Sequence, residues 1–173
     1  HIDSRRLDLK ANPVHEEDGI VYFRTHYYGG IKKYQWTCIP LALIGVVYTK
    51  DGKKVDINIG LKDDDPIFYV SDLLIHMAQD QMKKTLAEGI TGEQLQAIAG
   101  TNAEEDLKPK EVFMKMLKDT YGIEEEDFAA AELELVPATK SRDVGFDRSL
   151  IASYGQDDRV CSYANLEAIL QAK

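Results

Sequence analysis

Tyr154-Gly155-Gln156-Asp157-Asp158-Arg159-Val160 is the stretch on which the reading of this 173-residue chain turns. An apolar run, Ser149-Leu150-Ile151-Ala152, precedes it, and Val160, Tyr163, Ala164 and Ala168 follow at the spacing of one helix face. The stretch therefore reads as a strand-to-helix junction carrying two adjacent carboxylates. One use of such a pair is an N-cap, in which Asp oxygens accept the orphan N–H groups of the first turn and suit the helix dipole. The other is metal ligation at a point where the backbone turns. On these residues alone the cap is the commoner use.

A second feature stands at the far end of the chain. In His1-Ile2-Asp3 the two polar side chains fall on one face of an extended segment, because strand periodicity is two. An imidazole so placed suits a divalent metal, with the acid beside it as a supporting group. Three residues of this kind recur by chance. Their weight comes from standing in order with the late Asp pair.

Composition narrows the setting. Apolar residues make up 44% and charged residues 29%, as in a globular protein with one sizeable core or two small ones. A formal charge of −9 and a pI near 4.9 argue against binding a phosphate backbone, so no nucleic-acid partner is expected. Lys32-Lys33 and Lys53-Lys54 are too short to reverse that and read as solvated pairs. No apolar run reaches the roughly 18–20 residues a membrane span needs, so no membrane partner is expected either. Cys38 and Cys161 match neither zinc-finger nor thioredoxin spacing and read as reduced structural thiols, with a cytoplasmic location expected. The chain begins at His1 and is read as starting within a longer protein.

In chain order, His1 to Lys10 reads as extended and Asn12-Pro13 as a turn. His15 to Gly19 reads as a polar loop, and Ile20 to Tyr28 as an aromatic strand broken by Gly29-Gly30. Trp36 to Tyr48 is apolar, with a bend expected at Pro40 and Gly45. Asp51-Gly52 predicts a type I′ hairpin between Val46-Val47-Tyr48 and the alternating run Val55 to Ile59. Asp63 to Asp65 lack the Gly and Glu of a calcium loop and read as a solvated turn. The period then changes. Ser71 is expected to cap a helix with Leu74, Ala78, Met82 and Leu86 on one ridge, and Thr91 with Gln94 to open a short helix ending near Gly100. Pro109 opens a helix with Val112, Phe113, Met116 and Leu117 inward and Gly122 as its stop, and Leu133 to Val136 returns to strand. The fold class expected is α+β.

Read together, the two ends resemble the family of aspartyl aminopeptidases and vacuolar aminopeptidase I, co-catalytic dinuclear zinc exopeptidases. His1-Ile2-Asp3-Ser4 with Arg6-Leu7-Asp8, then Thr25-His26-Tyr27-Tyr28-Gly29-Gly30, then Glu134-Leu135-Val136-Pro137-Ala138 and Gly155-Gln156-Asp157-Asp158-Arg159-Val160 stand in the family's order. The resemblance implies that His1 is a terminal zinc ligand, Asp3 the catalytic acid beside it, and Asp157 the carboxylate bridging two zinc ions. Manganese or cobalt stand as alternatives to zinc. Asp158 takes the place of a neighbouring residue that shapes the turn. The family's Glu-Glu pair, a further carboxylate and a last histidine all follow the bridging aspartate. After Arg159 this chain has the acid Glu167 and no histidine.

The resemblance therefore implies a fragment that lacks the general base. Alone it is expected to be inactive, and by itself it need bind no metal. It also implies an α/β peptidase domain present only as edges, residues 1–12 and 138–173, around an inserted β-rich oligomerisation domain with helices at residues 13–137. The implied partners are peptide substrates of the whole protein and further copies of the chain, as a dimer building towards a dodecamer. His76 is the residue of the insert that would reach a neighbouring subunit's site, or else an interface or surface histidine. His26 reads as a strand residue and His15 as a solvated one. The alternative is a stand-alone oligomerisation or scaffold module without catalysis.

Overall fold

The structure, a computed structural model, describes residues 1–172. The chain divides into two compact units, Arg6–Ala138 and His1–Arg5 together with the segment from Thr139 onward. Both are α+β.

The Arg6–Ala138 unit carries β1 (Arg6–Glu17), β2 (Ile20–Tyr28), β3 (Pro40–Tyr48), β4 (Lys54–Ile59), β5 (Phe68–Tyr69), β6 (Ala97–Gly100), α1 (Pro109–Tyr121) and β7 (Ala131–Pro137). All the pairings are antiparallel, and they close on themselves: β7 joins β3, then β5, β6, β2 and β1 follow, and β1 returns to β7. The result is a barrel, with β4 attached to β3 along Leu43–Tyr48 as the seventh strand of the sheet. Phe23 sits inside the barrel, its ring 5.6 Å from Phe68, 5.7 Å edge-on from Phe113 of α1 and 6.3 Å from Phe128. Leu7, Val21, Leu41, Val47, Leu95 and Leu135 are fully buried around it.

Local chemistry explains most boundaries. A hairpin joins β3 to β4 at Asp51-Gly52 in register, with Val47 opposite Val55, but not through the expected type I′ turn: Gly52 takes φ +80° while Asp51 does not have positive φ, and the Gly52 N–H donates to the Thr49 carbonyl at 2.8 Å. Pro40 stands at the first residue of β3 and opposite Tyr69 of the two-residue β5, near the strand's end where a missing N–H is tolerated. Gly45 has φ +138° and lies against the Glu132 backbone. Helix α1 opens on Pro109, with Glu111 accepting from the Lys108 N–H at 2.8 Å, and stops at Gly122 in the left-handed region. The buried Asp127 carboxylate is satisfied by N–H groups of Lys50 at 3.0 Å and Glu124 at 2.8 Å, tying the hairpin to the turn before β7.

Four further expectations are corrected. Asn12-Pro13 is no turn: β1 runs through it with a register shift between Leu9 and Val14, and Pro13 sits buried at that irregularity. The loop expected at His15–Gly19 is instead a tight hairpin, with Glu17 opposite Ile20 and positive φ at Asp18 and Gly19. The helix expected from Ser71 to Leu86 is a run of turns with one 3-10 turn at Gln81–Lys83. Of its ridge, Ala78 is buried, while Leu74, Met82 and Leu86 are largely exposed. With no apolar surface to pack on, that ridge gains too little to offset the ordering of the backbone. Thr91 and Gln94 do form a capping box, but it holds a single 3-10 turn, Gly92–Gln94, and the chain then enters β6.

The acidic turn at Asp65 yields a pH prediction. Its carboxylate accepts the N–H groups of Gly60 at 3.0 Å and Lys62 at 3.1 Å. The bonds from Lys62 and Gly60 hold its carboxyl below the usual carboxylate range. A depressed pKa stabilises the fold above the unfolded value of about 4, and that contribution disappears as pH falls through the lower folded value. Asp65→Asn should therefore flatten the acid limb of a stability profile below the unfolded carboxylate value of about 4, as followed by circular dichroism. A limb as steep as that of the wild type would contradict it.

The second unit contains β8 (Arg142–Val144) paired antiparallel with β9 (Leu150–Ala152), and α2 (Gln156–Gln171). His1–Arg5 belongs to this unit and carries no regular secondary structure.

Candidate metal centre

The strand-to-helix junction forms where the sequence places it, between β9 and α2. Its acids do not cap the helix. Gly155, with φ +82°, holds the N-cap position, and no side-chain cap bond is made. Asp157 and Asp158 depart from helical geometry, at φ −86°, ψ 114° and φ −118°, ψ 29°, and the peptide bond between them is cis. Their carboxylates turn instead to the His1–Arg5 segment. Glycine suits the Gly155 position because L residues rarely adopt that φ, and a Cβ there would stand 2.7 Å from Ser4 Oγ.

His1 Nδ1 lies 2.9 Å from the Asp3 carbonyl oxygen and 3.3 Å from Asp3 Oδ1. Both partners are acceptors, so Nδ1 carries the proton and donates. The expected sharing of a strand face by His1 and Asp3 is thus replaced by a direct contact in irregular backbone. Nε2 stands 3.4 Å from Asp157 Oδ1, while Asp157 Oδ2 is 3.8 Å from Arg5 Nη1. Asp158 Oδ2 accepts from the His1 nitrogen at 3.1 Å. The Cys161 thiol holds the Asp158 carboxyl below the usual range, and Asp158 in turn pushes the Cys161 thiol up.

These donors fit zinc. Two ligands about 2.0–2.1 Å from a tetrahedral ion stand about 3.3–3.4 Å apart, which is the separation of His1 Nε2 and Asp157 Oδ1. A ring nitrogen tied to a carbonyl is the usual orientation of a ligating histidine, and it leaves the other nitrogen available to a metal. The donor set is partial: among the described residues no three His, Cys, Asp or Glu side chains converge to hold a metal ion.

A profile of the aminopeptidase I zinc metalloprotease family, M18, matches residues 1–173. The chain belongs to that family. Among M18 relatives, a probable M18 family aminopeptidase 1 of Clostridium acetobutylicum is 51% identical over 177 residues, covering 100% of this chain and 38% of that protein. Its Thermotoga maritima counterpart is 50% identical over 175 residues, covering 99% of this chain and 38% of that protein. The M18 chain thus spans about two fifths of the length of these relatives. A crystal structure of the T. maritima M18 aminopeptidase superposes with a TM-score of 0.92 at 49% identity, covering 100% of this chain and 39% of that one. At 17% identity and a TM-score of 0.63, the S. cerevisiae mApe1 dodecamer shares the fold, covering 98% of this chain and 37% of that one.

The other expected residues of the M18 chain lie in the Arg6–Ala138 unit. His76 is exposed among the turns after Ser71. His26 is on β2, where its Nε2 stands 4.0 Å from Asp8 Oδ2, and His15 Nδ1 meets Arg24 Nη2 at 2.9 Å. Sequence reasoning missed the groups that touch the His1–Arg5 backbone: Tyr154, Arg159 and Ser162. Arg159 and Ser162 are three apart on α2, a spacing that puts them on one face and could have flagged them.

Proposed function

We propose that this chain is part of a zinc aminopeptidase that removes N-terminal residues from peptides. The observation that carries the reading is the His1 Nε2–Asp157 Oδ1 approach, with Nδ1 donating to Asp3. In this reading His1 is a terminal ligand, Asp157 bridges two ions, and Asp3 orients the imidazole and raises its basicity. Zinc held there would supply carbonyl polarisation and activation of a water, with manganese or cobalt as substitutes where they are the available ions. Arg5 Nη1, 3.8 Å from Asp157 Oδ2, restrains the carboxylate without displacing the oxygen that faces His1. The general base and the remaining ligands are not among these residues, so the 173-residue chain alone is inactive.

Residue-specific NMR titration of the His1 ring with zinc chloride tests the site. Zinc should shift the His1 ring nitrogens before those of His15, His26 and His76, and Asp157→Ala should weaken that binding about tenfold or more. No His1 response at millimolar zinc would overturn the site reading, and peptide turnover by the homogeneous zinc-loaded chain would overturn its inactivity.

A second reading concerns the Arg6–Ala138 unit as an assembly domain of a cytoplasmic homo-oligomer. Leu74, Ile75, Met77, Met82 and Leu86 are each more than three-fifths exposed within one short run, an apolar patch that favours a protein partner. The dodecameric state of the yeast neighbour is in line with it. No helix among the described residues is long and apolar enough to cross a membrane. Light scattering at tens of micromolar decides: a dimer or larger species is expected, and a strict monomer would remove the reading.

A further inference from the structure

We infer that Arg159 and Ser162 are positioning residues for the His1–Asp157 donor pair, acting through the backbone carbonyls of Ile2 and His1. The inference rests on the metal-site reading above. His1–Arg5 forms no strand or helix, so no backbone ladder fixes where the imidazole stands. Side chains do so instead. Arg159 Nε donates to the Ile2 carbonyl at 3.2 Å, Ser162 Oγ donates to the His1 carbonyl at 3.1 Å, and the Tyr154 hydroxyl donates to the Arg5 carbonyl. Asp158 accepts from the His1 nitrogen at 3.1 Å, so the His1 backbone is held on both sides.

All of these groups come from residues 154–162, the segment that also presents Asp157. Arg159 and Ser162 share a face of the first turns of α2, Arg159 directly after the non-helical pair Asp157-Asp158 and Ser162 three residues further on. The same few residues therefore set the position of the carboxylate and of the segment carrying the histidine. A displacement of this helix start carries both donors with it, and their separation of 3.4 Å is preserved. Removing a clamp frees His1 to move while Asp157 stays. A ligand pair needs its spacing held within a few tenths of an ångström, so affinity should suffer well before stability does.

The test compares the 173-residue chain with Arg159→Ala, Ser162→Ala, the double variant and the conservative Ser162→Thr. Zinc affinity is read from the His1 ring resonances, the His1 tautomer from its ¹⁵N shifts without metal, and the fold from the thermal midpoint without metal. The double variant should bind zinc at His1 about 10–100-fold more weakly, with part of the Nδ1–H population lost and a midpoint within about 3 °C of the wild type. Ser162→Thr keeps the donor and should bind as the wild type does. The control Asp157→Ala should weaken the response more than the double variant does. If it weakens zinc binding while the double variant leaves affinity and tautomer unchanged, the clamp is overturned and the metal site stands. If zinc binding at His1 is indifferent to this control as well, both fall. If the double variant unfolds, the tautomer and affinity of the single variants decide: values equal to the wild type overturn the proposal.

Discussion

Replacing Gly45 by alanine is expected to lower the unfolding free energy by at least about 3 kcal/mol, among the largest effects of any single substitution in this chain. Two independent costs combine. Gly45 has φ +138°, a backbone conformation L residues rarely adopt. A Cβ there would also overlap the Glu132 carbonyl oxygen and fall 2.9 Å from its carbon and 3.0 Å from Leu133 Cα. Those are main-chain atoms of β7, paired to β3 across Gly45 and Leu133, so they have no rotamer to yield. The added methyl forces the two strands apart at the seam where the barrel closes. Urea unfolding should show a much lower midpoint, and hydrogen exchange should quicken at Leu133 and its neighbours on both strands. A midpoint equal to the wild type's, with undiminished protection, would show that the seam adapts.

The second large effect is expected at Phe23. Its ring touches Phe68 from β5, Phe113 from α1 and Phe128 before β7, so it joins elements remote in sequence. Phe23→Ala removes the apolar surface and leaves a cavity that this ring of strands can only partly collapse around, at a cost of about 3–5 kcal/mol. Phe23→Leu keeps much of the volume and should cost clearly less. The edge-on pair with Phe113 is separable by a double-mutant cycle, with a coupling of about 0.5–1.5 kcal/mol expected. Additive single variants would mean that α1 covers the barrel without that ring contact contributing anything beyond its buried area.

Legibility followed the range of the interactions. The Asp51-Gly52 hairpin, the helix from Pro109 to Gly122 and the strand at Leu133–Val136 were readable because each is decided within a few residues. Asn12-Pro13 misled because the turn chemistry of that dipeptide also serves a bulge, and β1 continues past it in partnership with β2. The Ser71–Leu86 ridge misled for the complementary reason: helical spacing is necessary for an amphipathic helix, but an apolar surface must also be offered to it. Which strands meet to close the barrel is a non-local choice that no local pattern states.

The metal site divides in the same way. His1 and Asp157 were found through their order in the chain and the family resemblance, and the geometry that ties Nδ1 to the Asp3 carbonyl came only with the fold. The Arg159 and Ser162 contacts end on backbone oxygens, and a carbonyl has the same chemistry at every position of a sequence. Nothing in the residue types could single those acceptors out.

The place of β7 has a consequence for how the molecule comes into being. It is the last strand of the Arg6–Ala138 unit to leave the ribosome, and it fills the gap between β1 and β3, pairing with both. Until residues 131–137 are synthesised, two strand edges stand open to any passing extended chain, and the hydrophobic lining between them is accessible. A keystone that arrives last makes nascent chains shorter than this the ones most in need of a chaperone.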